Sequence, residues 1–224
     1  MPARHPHHEP HPASIPTNRL EAFSDGVFAI VMTLLIFELK VPSLPKGMED
    51  LELLHALMGL WPKLLSWLVS FVVIGVFWVG QHMMLSLVRR TDRTFLWLNL
   101  LFLLCVAFIP FPTALMGEYV GTPIAVVPYG LTLIATGLAM ALVWWYATRG
   151  HRLVSPELDD DFVRDVLRRT LVGPALYAVA ILVSLLNARV TLFLYALIPI
   201  YYIAPRARFD HHVARHVAEA HRER

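Results

Sequence analysis

The sequence contains few charged residues and a single cysteine. Charged side chains make up 16% of its 224 residues, whereas soluble domains carry about 25%, so a typical soluble protein is excluded. One cysteine, Cys105, cannot form an internal disulfide. The first 18 residues also lack the apolar core of a cleavable signal peptide. The net charge of +2 is too small to indicate a nucleic-acid partner.

Long apolar runs are the main feature of the chain. Hydrophobic residues make up 57% of the sequence, and the charges fall between runs of about 17–25 residues, the length that crosses a bilayer. We therefore predict an all-α, polytopic membrane protein with six transmembrane helices. The predicted spans lie at about residues 20–39, 64–87, 95–116, 124–147, 171–187 and 190–205.

The segments around the spans complete this organisation. Residues 1–17 are predicted to form a disordered cytoplasmic tail, because they are rich in proline and poor in large apolar residues. Residues 18–205 form the membrane domain, and 206–224 form a basic, His-rich cytoplasmic tail. P-F-P at 110–112 is predicted to kink or end the third span. A cytoplasmic N-terminus places 15 of the 19 Lys and Arg residues on the inside, as the positive-inside rule requires.

Three polar side chains are predicted to lie at one depth in the membrane. Asp25, His82 and Asn99 each lie six or seven residues from an arginine that flanks their span, which places them roughly 9–10 Å above the inner charged belt. Unpaired polar groups are costly there, so we expect these side chains to bond to one another. Trp78, one turn from His82, can add its indole N–H. This network either only holds the first three helices together or takes part in function.

The first helix has two distinct faces. At about 100° per residue, Ile30, Thr33, Leu34 and Phe37 fall on one side. Asp25 falls on the opposite side, so we expect its carboxylate to point towards the helices of its own bundle. A stripe with this spacing serves packing more often than function.

Three segments of the sequence resemble a known family. R-L-E-A-F-S-D-G-V at 19–27 resembles the Arg-x-x-x-Phe-Ser-Asp signature of the transmembrane-protein-175 potassium channels. W-V-G-Q-H at 78–82 and L-W-L-N-L-L-F-L-L-C-V-A-F-I-P-F-P-T at 96–113 resemble the second and third helices of that family. The resemblance implies a bacterial member with one repeat, which forms a homotetramer in the cell membrane and conducts K⁺ and other monovalent cations. It implies no cofactor, no metal site and no enzymatic activity.

The resemblance also implies roles for individual residues. In this family the first helix of each subunit lines the pore, so the constricting rings would be Ile30, Thr33 or Leu34, and Phe37. The interhelical network would comprise Arg19, Phe23, Ser24, Asp25, Trp78, His82 and Asn99. Hydrophobic rings can gate by dewetting, and threonine hydroxyls can partly replace the hydration shell of K⁺. The chain has no T-V-G-Y-G filter, so we expect only modest selectivity for K⁺ over Na⁺.

Three other interpretations of the residues stay open. A proton-coupled transporter could relay protons through Asp25 and His82, although the internal repeats and broken helices of transporters are not evident. An intramembrane enzyme could use the same pair, but no second carboxylate or serine–base pair lies at their depth. A metal-ion transporter or sensor is suggested by the histidines of the two tails: His5, His7, His8, His11, His211, His212, His216 and His221. Histidines in proline-rich tails are more often incidental metal binders.

Overall fold

A computed structural model describes residues 17–42 and 50–203, and nearly all of this part is helical. Helix α1 (Thr17–Leu34) continues into a 3₁₀ turn, Leu35–Glu38. The other helices are α2 (Asp50–Met58), α3 (Trp61–Leu87), α4 (Arg93–Phe108), α5 (Pro110–Glu118), α6 (Pro123–Thr148), α7 (Asp160–Ser184) and α8 (Ala188–Ile203). Within these ranges no β-strand forms. An isolated bridge joins the backbones of Val88 and Val154.

Within the described ranges, five helical segments are long and apolar enough to cross a membrane. They are α1 with its 3₁₀ turn, α3, α4 with α5, α6 with the turn that follows it, and α7. Helix α8 is also apolar but has only 16 residues. The prediction of an all-α, multi-pass membrane protein is thus confirmed. Of the six predicted crossings, five correspond to described helical segments that are long enough to span a membrane.

The fifth span begins earlier than the sequence analysis predicts. Helix α7 begins at Asp160 and not at residue 171. The Asp159 side chain caps the helix by accepting a hydrogen bond from the backbone N–H of Asp161 at 3.0 Å. Asp160 and Asp161 also lie in the first turn, where the helix dipole favours negative charge. An apolar run in the sequence indicates only the part of a helix that lies in hydrocarbon. The charged first turns of α7 are not part of such a run, so the sequence did not predict them as helix.

The third span is interrupted at its prolines, as predicted. Helix α4 ends at Phe108, and α5 begins at Pro110 after a single residue. Pro110 and Pro112 lie in the first turn of α5. Backbone N–H groups in a first turn have no partner within the helix, so the missing N–H of proline costs no helical hydrogen bond there. The Asp92 side chain caps the other end of α4 by accepting from the backbone N–H of Phe95 at 2.8 Å.

The core of the protein surrounds α6. This helix packs most extensively against α7 and also contacts α4, α5 and α8. Helix α1 lies at the side of the bundle and contacts α3 and α4. The predicted tail of residues 1–17 is wrong at its last residue, because Thr17 is the buried first residue of α1. The rest of that tail, the tail at 206–224 and the two histidine clusters lie outside the described ranges.

Candidate pore wall and interhelical network

Helix α1 contacts the rest of the chain along one narrow face. The buried residues repeat at helical spacing: Thr17, Leu20, Ser24, Phe28, Val31 and Leu35. This pattern is that of a helix packed along one stripe. The other described helices therefore leave the remaining sides of α1 uncovered, and these sides include the stripe from Ile30 to Phe37.

The stripe of Ile30, Thr33, Leu34 and Phe37 is exposed on the surface of the described chain. Ile30 is 60% exposed and Phe37 is 71% exposed, while Thr33 and Leu34 are also on the surface. Other apolar side chains are exposed on every helix of this protein, because a membrane protein presents apolar residues to lipid. Thr33 distinguishes the α1 stripe from those surfaces, since it brings a hydroxyl into an otherwise apolar row.

The hydroxyl of Thr33 is oriented by its own helix. Its Oγ1 lies 2.9 Å from the backbone carbonyl of Ala29 and 2.8 Å from that of Ile30, and its one hydrogen is shared between them. A hydroxyl has one hydrogen and two acceptor lone pairs. Because the hydrogen points at the helix backbone, the oxygen presents lone pairs outwards, which is the arrangement that a cation requires.

A buried hydrogen-bond network joins α1, α3 and α4. The Gln81 amide donates to Asn99 Oδ1 at 2.7 Å and to Ser24 Oγ at 3.2 Å. Asn99 Nδ2 in turn donates to Ser24 Oγ at 3.2 Å. All three side chains are buried. The three helices are thus held at one level by polar groups that have no access to water.

Asp25 lies at the edge of this network and not inside it. Its Oδ1 accepts a hydrogen bond from Trp78 Nε1 at 2.8 Å, but the residue itself is exposed. This differs from the expectation that the carboxylate points into its own bundle. Ser24 occupies the buried face, and Asp25, about 100° further round the helix, can reach only the margin of α3.

The other predicted members lie further from the network. His82 is exposed, and its ring centroid lies 5.9 Å from that of Trp78. Arg19 and Phe23 are also exposed. The structure therefore brings together Ser24 with Asn99, and Asp25 with Trp78, and leaves Arg19, Phe23 and His82 on the surface of the chain.

Gln81 is the central residue of the network, and the sequence analysis did not identify it. Gln81 lies within the W-V-G-Q-H segment, one residue before His82. It could have been predicted from the sequence, because it is a polar amide within an apolar run at about the same depth as Asn99. Among residues 17–42 and 50–203, no three His, Cys, Asp or Glu side chains come together as a metal site would require.

The chain is similar to one family of known proteins. The sequence profile of the family described as endosomal/lysosomal potassium channel TMEM175 matches residues 19–110. A potassium channel of Streptomyces collinus is 40% identical over 192 residues, which cover 83% of this chain and 91% of that protein. A potassium channel of Chamaesiphon minutus is 39% identical over 194 residues, which cover 85% of this chain and 95% of that protein.

A solved structure shares the fold. It is the crystal structure of a lysosomal potassium-selective channel TMEM175 homolog from Chamaesiphon minutus. The two structures superpose with a TM-score of 0.74 and 37% sequence identity. The similarity covers 84% of this chain and 96% of that chain, so it includes the helices after α5 as well as the segment that the family profile matches.

Proposed function

The chain belongs to the TMEM175 potassium-channel family, and on that basis we propose that it is a potassium-permeable cation channel whose pore is lined by α1. Proteins about 40% identical to it over nearly their whole length are potassium channels. The observation that carries the assignment of the pore is the exposed stripe of α1, with Ile30 and Phe37 uncovered and Thr33 between them.

We propose that four copies assemble as a homotetramer around their α1 helices. One subunit cannot enclose a path, because α1 lies at the side of the bundle. A closed ring of identical subunits buries the same surface of every copy. The α1 stripe would then face the axis, and the Ile30 and Phe37 rings would form apolar constrictions that gate by dewetting.

We further propose six crossings, with both termini on the cytoplasmic side of the bacterial plasma membrane. The 16 described residues of α8, which reach the end of the described range at Ile203, extend about 24 Å, somewhat less than the hydrocarbon thickness of about 30 Å. Local thinning of the bilayer or flanking residues can make up that difference. An even number of crossings agrees with the 15 of 19 basic residues that this orientation places inside.

The buried network is proposed to hold the pore helix in place. Ser24 is the one residue of α1 that bonds both Gln81 and Asn99, so it fixes the rotation of α1 about its own axis. The Asp25–Trp78 bond adds a second contact on the same level. Arg19, Phe23 and His82 are proposed members on the family signature alone, since they lie on the subunit surface.

Replacing Thr33 with valine should reduce the preference for K⁺ over Na⁺. Valine keeps the shape of threonine but removes the oxygen lone pairs, so four ligands that partly replace the hydration shell of K⁺ are lost. We expect the permeability ratio to fall several-fold, towards one. The measurement is the reversal potential of purified protein in liposomes under K⁺, Na⁺ and Cs⁺ gradients.

Thr136→Val is the matched control for this substitution. The Thr136 hydroxyl is buried in α6 and donates to its own helix, to the carbonyl of Thr132 at 2.8 Å. We expect Thr136→Val to leave the reversal potential unchanged. An unchanged reversal potential in Thr33→Val would contradict the proposed threonine ring, and the absence of any cation current from the wild type would contradict the channel itself.

A further inference from the structure

A cavity of about 270 Å³ lies at the end of α1 that is opposite Arg19. It is formed by the 3₁₀ turn that follows α1, the first turns of α3, and α5. A 3₁₀ turn has poorer hydrogen-bond geometry than an α-helix, so contacts from neighbouring helices help to fix its position. This turn carries Phe37, the last residue of the α1 stripe. The polar and charged residues that line the cavity are Glu38, Lys40, Lys63, Trp67, Thr113, Glu118 and Tyr119.

The indole of Trp67 brings an unpaired donor to this cavity. Its Nε1 is buried and has no hydrogen-bond partner among the described residues. The ring packs against Phe71, with 5.7 Å between the two centroids, so the indole cannot turn towards water without losing that contact. A buried N–H without an acceptor is costly, and native proteins rarely leave one unpaired. Trp67 therefore requires an acceptor that reaches it from the cavity.

Glu38 brings an unpaired acceptor to the same cavity. It is the last residue of the 3₁₀ turn and is half-buried. Its backbone carbonyl accepts from the N–H of Lys40 at 3.2 Å, but its carboxylate forms no hydrogen bond or ion pair within the described part of the chain. A carboxylate that is partly removed from water without a donor is also costly. One cavity wall thus carries a donor and an acceptor that each lack a partner.

The other acceptors that line the cavity are less suited to Trp67. The carboxylate of Glu118 already has a cationic partner, because its Oε2 lies 2.5 Å from Lys63 Nζ. The hydroxyl of Thr113 bonds other buried groups of α3 and of its own helix, and Tyr119 is exposed. Among the side chains that line this cavity, Glu38 therefore offers the one carboxylate that has no partner in the described ranges.

We propose that Trp67 Nε1 donates to the carboxylate of Glu38 across this cavity, and that Glu38 is a positioning residue for the pore. The side chain of glutamate changes between staggered rotamers, so its carboxylate can cross the cavity without a change in the backbone. The bond ties the last turn of α1 to α3 beside Phe37, as Ser24 ties the other end of α1 to Gln81. The role in the pore rests on the function proposed above, whereas the bond itself does not.

The bond is tested by magnetic resonance of the full-length protein labelled with ¹⁵N-tryptophan in detergent. Trp67→Phe removes one indole N–H resonance, which assigns it. We expect Glu38→Leu to move the Trp67 proton resonance upfield, because donation to a carboxylate deshields the proton. Glu38→Gln keeps an oxygen that can accept, so the resonance should stay close to its wild-type position. The indole of Trp144 donates to the Val163 carbonyl at 3.1 Å, and its resonance should not move in either variant.

Glu118→Leu is the matched control, because it removes the other carboxylate that lines the cavity. It should leave the Trp67 resonance unchanged. The K⁺ flux per channel in liposomes tests the positioning role. Trp67→Phe and Glu38→Leu should change the flux in the same direction by about threefold, the effect of one average hydrogen bond between membrane helices. The double variant should differ from either single variant by less than about twofold, because both remove the same bond.

The proposal is overturned if Glu38→Leu leaves the Trp67 resonance in place, or if Glu118→Leu moves it as far. Glu38→Ala serves in the same way if the leucine variant elutes abnormally. Additive effects of Trp67→Phe and Glu38→Leu on flux would contradict the positioning role. A shifted resonance in Glu38→Leu, together with a wild type that carries no K⁺ flux, would contradict the proposed channel and leave the bond supported.

Discussion

Ile30→Asn should increase the K⁺ flux of the reconstituted protein about tenfold or more, and it should weaken selectivity. Four apolar side chains around a narrow path exclude water, and the free-energy barrier to an ion is the cost of wetting that ring. Asparagine amides hold water in the ring. A reduction of the barrier by about 1.4 kcal/mol is enough for a tenfold change, and in the proposed tetramer four substituted side chains would act at once.

Ile200→Asn is the matched control for this experiment. Ile200 lies on α8 and is 57% exposed, against 60% for Ile30, so both substitutions place the same amide on an exposed apolar surface. We expect Ile200→Asn to change the flux per channel by less than about twofold, since surface substitutions have small effects. An equal effect of the two variants, or no effect of Ile30→Asn, would remove Ile30 from the pore wall.

Gln81→Leu should produce the largest loss of stability among single substitutions in the network. The change removes the hydrogen bonds from Gln81 to Ser24 and Asn99 and leaves their oxygens buried without those donors. Hydrogen bonds between membrane helices contribute about 0.6 kcal/mol on average and up to about 1.7 kcal/mol each. We therefore expect a loss of about 1–3 kcal/mol, measured as a lower midpoint of thermal unfolding in detergent.

A double-mutant cycle distinguishes the network from a general effect of substitution. Gln81→Leu and Asn99→Leu should be strongly non-additive, because each removes the same bond of 2.7 Å. Thr136→Val is the control, since its hydroxyl bonds only within α6, and we expect a shift close to zero. Additive effects of Gln81→Leu and Asn99→Leu would show that the two side chains do not depend on each other.

Hydropathy and charge in the sequence were sufficient to predict the helical membrane class and most of the spans. They place α1 with its 3₁₀ turn, α3, α4 together with α5, and α6 to within a few residues, because each of these segments is apolar along nearly its whole length. Helix α7 was placed too late because the aspartates that begin it are polar. A helix can begin outside the hydrocarbon, where its composition no longer indicates its presence.

The depth of the site residues in the membrane could be predicted from the sequence, but the direction in which each side chain points could not. Counting residues from the flanking arginines predicted that Asn99 and Asp25 lie at the same depth. In the structure, hydrogen bonds at this depth connect α1, α3 and α4. The rotation of each helix depends on tertiary packing, which is why Ser24 and Gln81 form the buried network while Asp25 and His82 lie outside it.

The central claim, that the α1 stripe lines the K⁺ path, is tested most directly with silver ions, which react with thiols and carry the same charge as K⁺. The chain has one native cysteine, so a Cys105→Ala background allows single cysteines to be introduced at Thr33 and, as a control, at Ile200. We predict that Ag⁺ blocks K⁺ flux through Thr33→Cys and leaves flux through Ile200→Cys unchanged. Full K⁺ flux through Thr33→Cys in the presence of Ag⁺ would contradict the account.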